Sequence, residues 1–441
     1  MFLDTPLCIW HVLCYYKGMN QRKIAIKILI DILEKGGYNN IVLKKTLEKY
    51  ANLEPFERAF ITDIVNGTLR NIIHIDHIIN QFSKTKTDRM NILVLYVLRI
   101  SVYQIFFSKA KDNYAYVNEA VNIVKQKHPS LAGFVNGILR NIIRNQDKIK
   151  YPKDKLENLS IQYSTNMWLI QYLSSFLTES QVVNLCKSTI EPPKISICVN
   201  SLITSRDDLI EELQKEGVEA IAGNNSSSIF VTKTKDISEL DSFKRGHFHI
   251  MDEISMKAVE ELAPKPNAIM YDLCAAPGGK SFYASMLMRN TGKIFSNDIH
   301  SHKINLIKQG AKRLGISNIE TKISDATQTT LQENMADYVL LDAPCSGFGT
   351  LKKKPDIKYT KTMKHVEELA IIQKKILTSS ANYTKIGGDM LYSTCTVSIE
   401  ENQKNIAWFL DRFDYKLVSE NQYIPEEYGD GFYTALLRRN S

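Results

Sequence analysis

The stretch AIMYDLCAAPGGKSFYASMLMRN, Ala268–Asn290, decides how the rest of the chain is read. Its opening AIMYDLC is a short apolar run, as a buried strand would be, and SFYASMLMRN reads as a helix. The glycine turn between them is neither G-x-G-x-x-G nor a G-x-x-x-x-G-K-[ST] phosphate loop. Glycines there let backbone approach a ligand, and the helix start offers free N–H groups. The alternation then continues. KIFSND is a strand, HKINLIKQGAKRLG a helix, IETKISDA and ADYVLLDAPC strands, 366–384 a helix and GGDMLYSTC a strand. A last helix is expected from near Ser398, with Glu401 completing a capping box. Strands alternating with helices predict a parallel, doubly wound α/β sheet covered on both faces.

Such a sheet delivers polar residues to one edge. Asp272, Asp298, Asp325 and Asp342 fall at the carboxyl ends of successive strands, where open α/β sheets hold ligands. A carboxylate at Asp298, ending the second strand, suits two ribose hydroxyls. Each acid taken singly also suits a helix cap. As a set they fit a nucleoside without a polyphosphate, S-adenosylmethionine better than NAD or ATP. Cys345 and Cys395 lie on loops at the same edge. A buried cysteine is ordinarily a small hydrophobe. Beside a methyl donor it has another use: thiolate addition to carbon 6 of a pyrimidine makes carbon 5 nucleophilic. Lys280 and nearby helix N-termini are suited to lowering the pKa of such a thiol.

The upstream chain differs. Ala25, Ile28, Leu29, Ile32 and Leu33 share one helix face closed by Gly36-Gly37, and further helices are expected over 55–71, 91–108, 117–127 and 133–145. VNGTLRNII at Val65–Ile73 returns as VNGILRNII at Val135–Ile143, eight of nine positions agreeing 70 residues apart. Two equivalent helices of a bundle would explain it, with Arg70 and Arg140 at matching sites; chance recurrence is the other reading. KIKYPKDKLE, Lys148–Glu157, reads as a linker, followed by helix to about Ile190. PPKISICVNSL, SRDDLIEELQKEGVEA and SSIFVTKT then read as strand, capped helix and strand of a small α+β module. The expected division is 19–147 helical, 158–266 linker helices and small module, and 267–441 catalytic.

The net charge is +8. Residues 20–150 hold 21 Lys+Arg against 11 Asp+Glu, a net of +10, so the remainder carries −2. The helical part is therefore suited to a polyanion, although a solvated basic surface looks the same. Seven cysteines, an odd number with no C-x-x-C, argue against a zinc site or a secreted disulfide framework and for a reducing, cytoplasmic compartment. No metal is expected. No apolar run reaches the roughly 20 residues of a membrane span. The apolar first 18 residues lack the marks of a secretory signal, and Met19 is the expected start of translation.

With these motifs in order, DLCAAPGGKS, NDIH, SDAT, DAPCSGFGTLKKKPDIKY, YSTCTVSIEEN and GDGFYTALLRR, the chain resembles the Sun family of RNA 5-methylcytosine methyltransferases. FERAFITDIVNGTLR and YAYVNEAVNIVK resemble a NusB-type helical RNA-binding domain. The resemblance implies an all-α NusB-like domain, a small α+β module and a Rossmann-like class I methyltransferase domain, acting as a monomer. It implies S-adenosylmethionine as cofactor, held by Cys274, Ala275, Ala276, Pro277, Gly278, Gly279 and Lys280, with Asp298 on the ribose and Asp325 on the adenine side. Asp342 would face donor and target base, Cys395 would be the nucleophile and Cys345 would assist product release. The helical domain favours 16S ribosomal RNA, free or in an assembling small subunit, over transfer RNA. A non-catalytic assembly or antitermination factor would need neither cysteine. Met251-Asp252 stands where the family has Gln-Asp, and Cys198-Val199-Asn200 where it has Arg-Val-Asn.

Overall fold

The computed structural model describes residues 21–109, 112–233, 236–328, 330–425 and 429–440. The apolar opening and the expected start at Met19 lie outside these residues. The chain divides into two compact units, one of residues 1–191 with 354–360, the other of 192–353 with 361–441.

The first unit is helical. Helices α1 (Gln21–Leu33), α2 (Asn39–Lys49), α3 (Pro55–Phe82), α4 (Ile92–Phe106), α5 (Asn113–Lys125) and α6 (Ala132–Arg144) are followed by shorter helices over Lys155–Gln162, Met167–Ser174 and Glu179–Ser188. Local signals explain the starts. Pro55 opens α3 behind a Glu54/Glu57 capping box, and the Asn91 side chain accepts the Leu93 and Val94 amides at the start of α4. α4 is apolar nearly all round and buried along most of its length, which makes it the central helix. α3 runs to Phe82, eleven residues beyond the expected end at Asn71, because Ile75, Ile78 and Ile79 continue its buried stripe.

Both copies of the echoed sequence are helical, but their surroundings differ. In α3 the Arg70 side chain is buried, and burial lowers its pKa despite the nearby Tyr103 and Asp63. Arg140, in α6, is exposed. Arg70 is therefore no candidate for an RNA phosphate contact.

The second unit contains two sheets. A small antiparallel sheet has the order β2-β3-β1-β4, from β1 (Ile195–Val199), β2 (Glu219–Ala222), β3 (Ser228–Lys233) and β4 (Phe248–Ile250). Two of these do not stand out in the sequence: β2 is short and mostly exposed, and β4 is only three residues long. The large sheet has the order β10-β11-β9-β8-β5-β6-β7. Its strands are β5 (Ile269–Asp272), β6 (Lys293–Asp298), β7 (Ile319–Ile323), β8 (Ala336–Asp342), β9 (Thr384–Thr394), β10 (Tyr415–Tyr423) and β11 (Phe432–Arg439).

Strands β5 to β9 are parallel, as expected, but β11 runs antiparallel to β9 and β10 antiparallel to β11. The sheet is thus mixed, not wholly parallel. The reason is the short return after β10, which permits a hairpin and leaves no length for a crossover helix. The chain goes outward from β5 through β6 and β7, then returns to the other side of β5 with β8. That reversal makes a switch point between β5 and β8, where side chains at the strand ends face an open crevice.

Candidate active site

Four features meet at the switch point. The first is the turn after β5. Its Gly278 has φ +110°, a conformation open to glycine and strained for other residues, and it precedes the helix Gly279–Leu287. The second is a buried carboxylate. Asp272 Oδ2 accepts from Ser281 Oγ at 2.6 Å while Oδ1 is buried without a protein partner. Burial, opposed by the Ser281 hydrogen bond and helped by Asp342, pushes the Asp272 pKa up to about 7.

The third is an ion pair. Lys280 Nζ lies 2.6 Å from Asp342 Oδ2, and Ser393 Oγ donates to Asp342 Oδ1 at 2.9 Å. Burial lowers the Lys280 pKa, but Asp342, then Cys395 and Asp272, outweigh it, and the ammonium is held above the usual lysine value. The β8–β9 register pairs Asp342 with Ser393, so the Ser393 contact follows directly from strand alignment.

The fourth is the cysteine pair. Cys345 and Cys395 follow neighbouring strands, and their Sγ atoms are 3.2 Å apart. Both are partly open to solvent and neither is in a disulfide. The Cys345 thiol is pushed well up by its hydrogen bond to Cys395, then by burial, Glu401 and Asp342. Cys274, one turn away, is a different case. Burial and the negative charges of Asp272, Asp342 and Asp298 raise its pKa strongly, so it stays a neutral thiol.

A buried polar cluster fixes the two loops. Ser346 donates its backbone N–H to Glu401 Oε1 at 2.8 Å and its hydroxyl to Glu401 Oε2 at 2.5 Å. Ser346 Oγ is also 2.8 Å from Thr396 Oγ1, and Gln373 donates to Glu401 at 3.0 Å. The Glu401 carboxylate holds Ser346, the residue after Cys345, and the Ser346 hydroxyl in turn reaches Thr396, the residue after Cys395. The Glu401 N–H still donates to Ser398 Oγ at 3.4 Å, but the segment 399–402 is a turn and the last helix begins at Gln403, five residues beyond the expected start. Farther along, the Gly349 N–H donates to the Cys395 carbonyl at 3.0 Å and Gly431 packs so close to Gly349 that a Cβ there would sit 1.8 Å from its carbonyl oxygen. That contact accounts for Gly349 and for the second glycine of GDGF, Gly431. Ser346, Thr396 and Gly431 lie in motifs quoted above and Gln373 does not, but nothing local in the sequence marks any of them as partners of Glu401 or Gly349. Their importance arises only when the loops meet.

The crevice itself is lined by Cys274, Ala275, Ala276, Pro277, Gly279 and Lys280, together with Asp272 and Asp342. Met251 and Asp252, at the start of a helix after β4, complete the wall. Asp252 is bridged to Asp430 by Lys353, 2.7 Å from each carboxylate. Asp298 and Asp325 stand outside this lining. Asp298 ends β6, where its Oδ1 accepts the His300 amide at 3.0 Å and Oδ2 lies 3.6 Å from Lys303. Asp325 Oδ1 accepts the Thr327 amide and hydroxyl at 2.9 and 2.8 Å. The only cation in the lining, Lys280, is neutralised by Asp342. A crevice with that charge balance suits a positively charged nucleoside and disfavours a polyphosphate.

A mixed sheet, parallel over β5–β9 with a crevice at its switch point, joined in one chain to a NusB-type helical bundle, defines a class I methyltransferase with a second, helical domain. The family description "16S rRNA methyltransferase RsmB/F" matches residues 259–438, the NusB family matches 19–144, and the RsmF/B-like ferredoxin-like domain matches 166–238. A probable ribosomal RNA small subunit methyltransferase B from Bacillus subtilis is 33% identical across 96% of this chain and 99% of its own. The Proteus mirabilis ribosomal RNA small subunit methyltransferase B is 28% identical across 95% and 99%. The crystal structure of PH0851 superposes with a TM-score of 0.79 at 26% identity, over 96% of this chain and all of that one. The chain belongs to the RsmB/F family of ribosomal RNA methyltransferases. Among the described residues no helix is long and apolar enough to cross a membrane.

Proposed function

We propose that this protein methylates carbon 5 of a cytosine in 16S ribosomal RNA through a covalent bond between Cys395 and the base. The observation that carries the reading is the 3.2 Å separation of two part-open sulfurs, neither in a disulfide, beside the Lys280–Asp342 pair. S-adenosylmethionine supplies the methyl group. The turn Cys274–Lys280 and Asp342 would hold it, with Asp298 and Asp325 on its ribose and adenine sides.

Cys395, as thiolate, adds to carbon 6 of the cytosine. The C5–C6 double bond opens, and carbon 5 becomes an enamine-like nucleophile that takes the methyl group. The Lys280 ammonium favours the thiolate electrostatically. The carbon 5 proton then leaves, the C6–S bond breaks, and the double bond and the Cys395 thiolate are restored. Cys345, whose Sγ is 3.2 Å from that of Cys395, assists loss of that proton and release of the methylated product. The base must leave its stack to reach the crevice, as in other base-modifying enzymes.

The test is a denaturing gel of each cysteine variant with labelled ribosomal RNA. Cys395→Ala is expected to give neither methylation nor adduct. Cys345→Ala is expected to accumulate a denaturant-resistant, nuclease-sensitive adduct. An adduct in Cys395→Ala alone reverses the roles, and full activity in both variants rules out covalent catalysis. Bisulfite sequencing of the product RNA identifies the base and its position.

A further inference from the structure

Cys345 and Cys395 are 50 residues apart in the chain, yet their sulfurs are 3.2 Å apart. The fold fixes both loops on either side of the pair. Ser346 and Thr396, the residues that follow the two cysteines, meet through their hydroxyls at 2.8 Å, and Glu401 fastens Ser346. Pro344, before Cys345, accepts the Gln373 amide at 2.8 Å, and the Cys395 carbonyl accepts the Gly349 N–H at 3.0 Å. Joining the sulfurs therefore orders little further chain. A disulfide bond is about 2.05 Å long, so the gap to close is about 1.2 Å, within reach of side-chain rotation on fixed loops.

The two thiols are not equivalent. The hydrogen bond to Cys395, then burial, Glu401 and Asp342, push the Cys345 thiol well up, so it stays protonated. Burial lowers the Lys280 pKa, while Asp342 and then Cys395 raise it, so the Cys395 sulfur and the ammonium attract each other. The sulfur beside a cation ionises more readily, and the thiolate is the form that reacts with oxidants. Both cysteines are partly open to solvent, whereas Cys186 and Cys198 are buried. Neither Cys345 nor Cys395 belongs to the crevice lining, so a bond between them leaves the lining residues in place.

We propose that Cys345 and Cys395 form a site of reversible oxidation, at which a hydroperoxide converts the pair to a disulfide and switches methylation off. Cys395, as thiolate, attacks the outer oxygen of the hydroperoxide. The O–O bond breaks, one oxygen stays on sulfur as a sulfenic acid, and the alkoxide takes up a proton and leaves as an alcohol, or as water from hydrogen peroxide. Cys345 then attacks the Cys395 sulfur as it gives up its own proton. The S–S bond forms, the S–O bond breaks, and hydroxide leaves with that proton as water. The two sulfurs together lose two electrons and the peroxide gains two. Cys345 intercepts the sulfenic acid before further oxidation, which keeps the change reversible by thiol exchange. The loss of activity rests on reading Cys395 as the nucleophile.

The experiment treats the full chain with a small molar excess of hydrogen peroxide, blocks the remaining thiols with iodoacetamide and digests without reductant. Mass spectrometry is expected to find the Cys345 and Cys395 peptides joined. Methylation of ribosomal RNA and the covalent RNA adduct are expected to fall in proportion to the joined fraction, and dithiothreitol to restore both. Calorimetry is expected to give the same S-adenosylmethionine affinity before and after oxidation, which separates a locked cysteine pair from unfolding. Cys345→Ala provides a readout that needs no activity. There the Cys395 peptide is expected to be trapped by dimedone as a sulfenic acid, and longer exposure to carry it to a sulfinic acid that dithiothreitol does not reverse.

A sulfinic acid on Cys395 of the parent protein, with no joined peptide, overturns the site. So does a disulfide that pairs either cysteine with a different one. Equal dimedone labelling of Cys395 in the parent and in Cys345→Ala overturns it as well, because Cys345 then intercepts nothing. If no joined peptide forms while Cys395→Ala loses methylation and adduct, only the oxidation site is refuted. If the pair joins and the joined protein still methylates RNA at the full rate, the covalent reading fails and the switch fails with it.

Discussion

Replacing Glu401 by glutamine and by alanine separates the architecture of the cysteine loops from their electrostatics. Glu401 is fully buried and receives the Ser346 N–H, the Ser346 hydroxyl and the Gln373 amide. Two of these donors have other outlets. The Ser346 hydroxyl reaches Thr396, and Gln373 also donates to the Pro344 carbonyl at 2.8 Å. The Ser346 N–H has no other acceptor among the described residues. Glu401→Ala thus orphans one buried amide and removes hydrogen bonds to a charged group, which together cost about 2–4 kcal/mol. Glu401→Gln keeps an acceptor for the amide and loses only the charge. Burial already raises the Glu401 pKa, so its charge is held against a desolvation penalty, and the glutamine variant is expected to lie within about 1 kcal/mol of the parent.

The charge has a second effect, on Cys345, whose thiol it helps to push up. Glu401→Gln is therefore expected to make Cys345 ionise at lower pH. The assays are urea unfolding of both variants and the pH profile of iodoacetamide labelling, read by mass spectrometry on the Cys345 peptide. If the glutamine variant is destabilised as much as the alanine variant, the hydrogen-bond assignment is wrong. If its labelling profile does not move, Glu401 has no electrostatic hold on Cys345.

Other outcomes follow from single residues. Asp298→Ala is expected to weaken S-adenosylmethionine binding by about 1.5–3 kcal/mol, the range of a charge-assisted hydrogen bond, as calorimetry would read; unchanged affinity in a folded variant places the ribose elsewhere. Lys358 is fully buried in the helical unit, donating to the Arg70 carbonyl at 2.9 Å, and burial lowers its pKa to about 7. A lysine whose folded pKa lies below its unfolded one makes stability rise with pH between about 7 and 10.5. Lys358→Met is expected to abolish that rise in denaturation curves taken across this window, and an identical pH dependence in both proteins would contradict it.

The alternation of strands and helices after Ala268 was legible because each element carries its own period, and the acids and cysteines sit at the punctuation between them. Parallel pairing then puts Asp272, Asp298, Asp342 and Cys395 on one edge without further information. The reach of α3 was misjudged because its last turns carry polar residues on the outer face, and only packing shows which face is inside. The antiparallel β10–β11 pair escaped the alternating pattern because a hairpin needs no helix between its strands.

Arg70 and Arg140 mark the limit most clearly. Their sequence contexts are nearly identical, and any local reading must treat them alike. Tertiary structure decides between them, because Tyr103 and Asn39 arrive on the face of α3 from segments far away in the chain while no described residue fills that face of α6. The same division holds at the cysteines. Residue types and spacing determined by themselves that two thiols end neighbouring loops of one sheet edge. Their 3.2 Å separation depends on Glu401 joining Ser346 across 55 residues of chain, and a long-range contact between buried polar groups leaves no periodic trace in sequence.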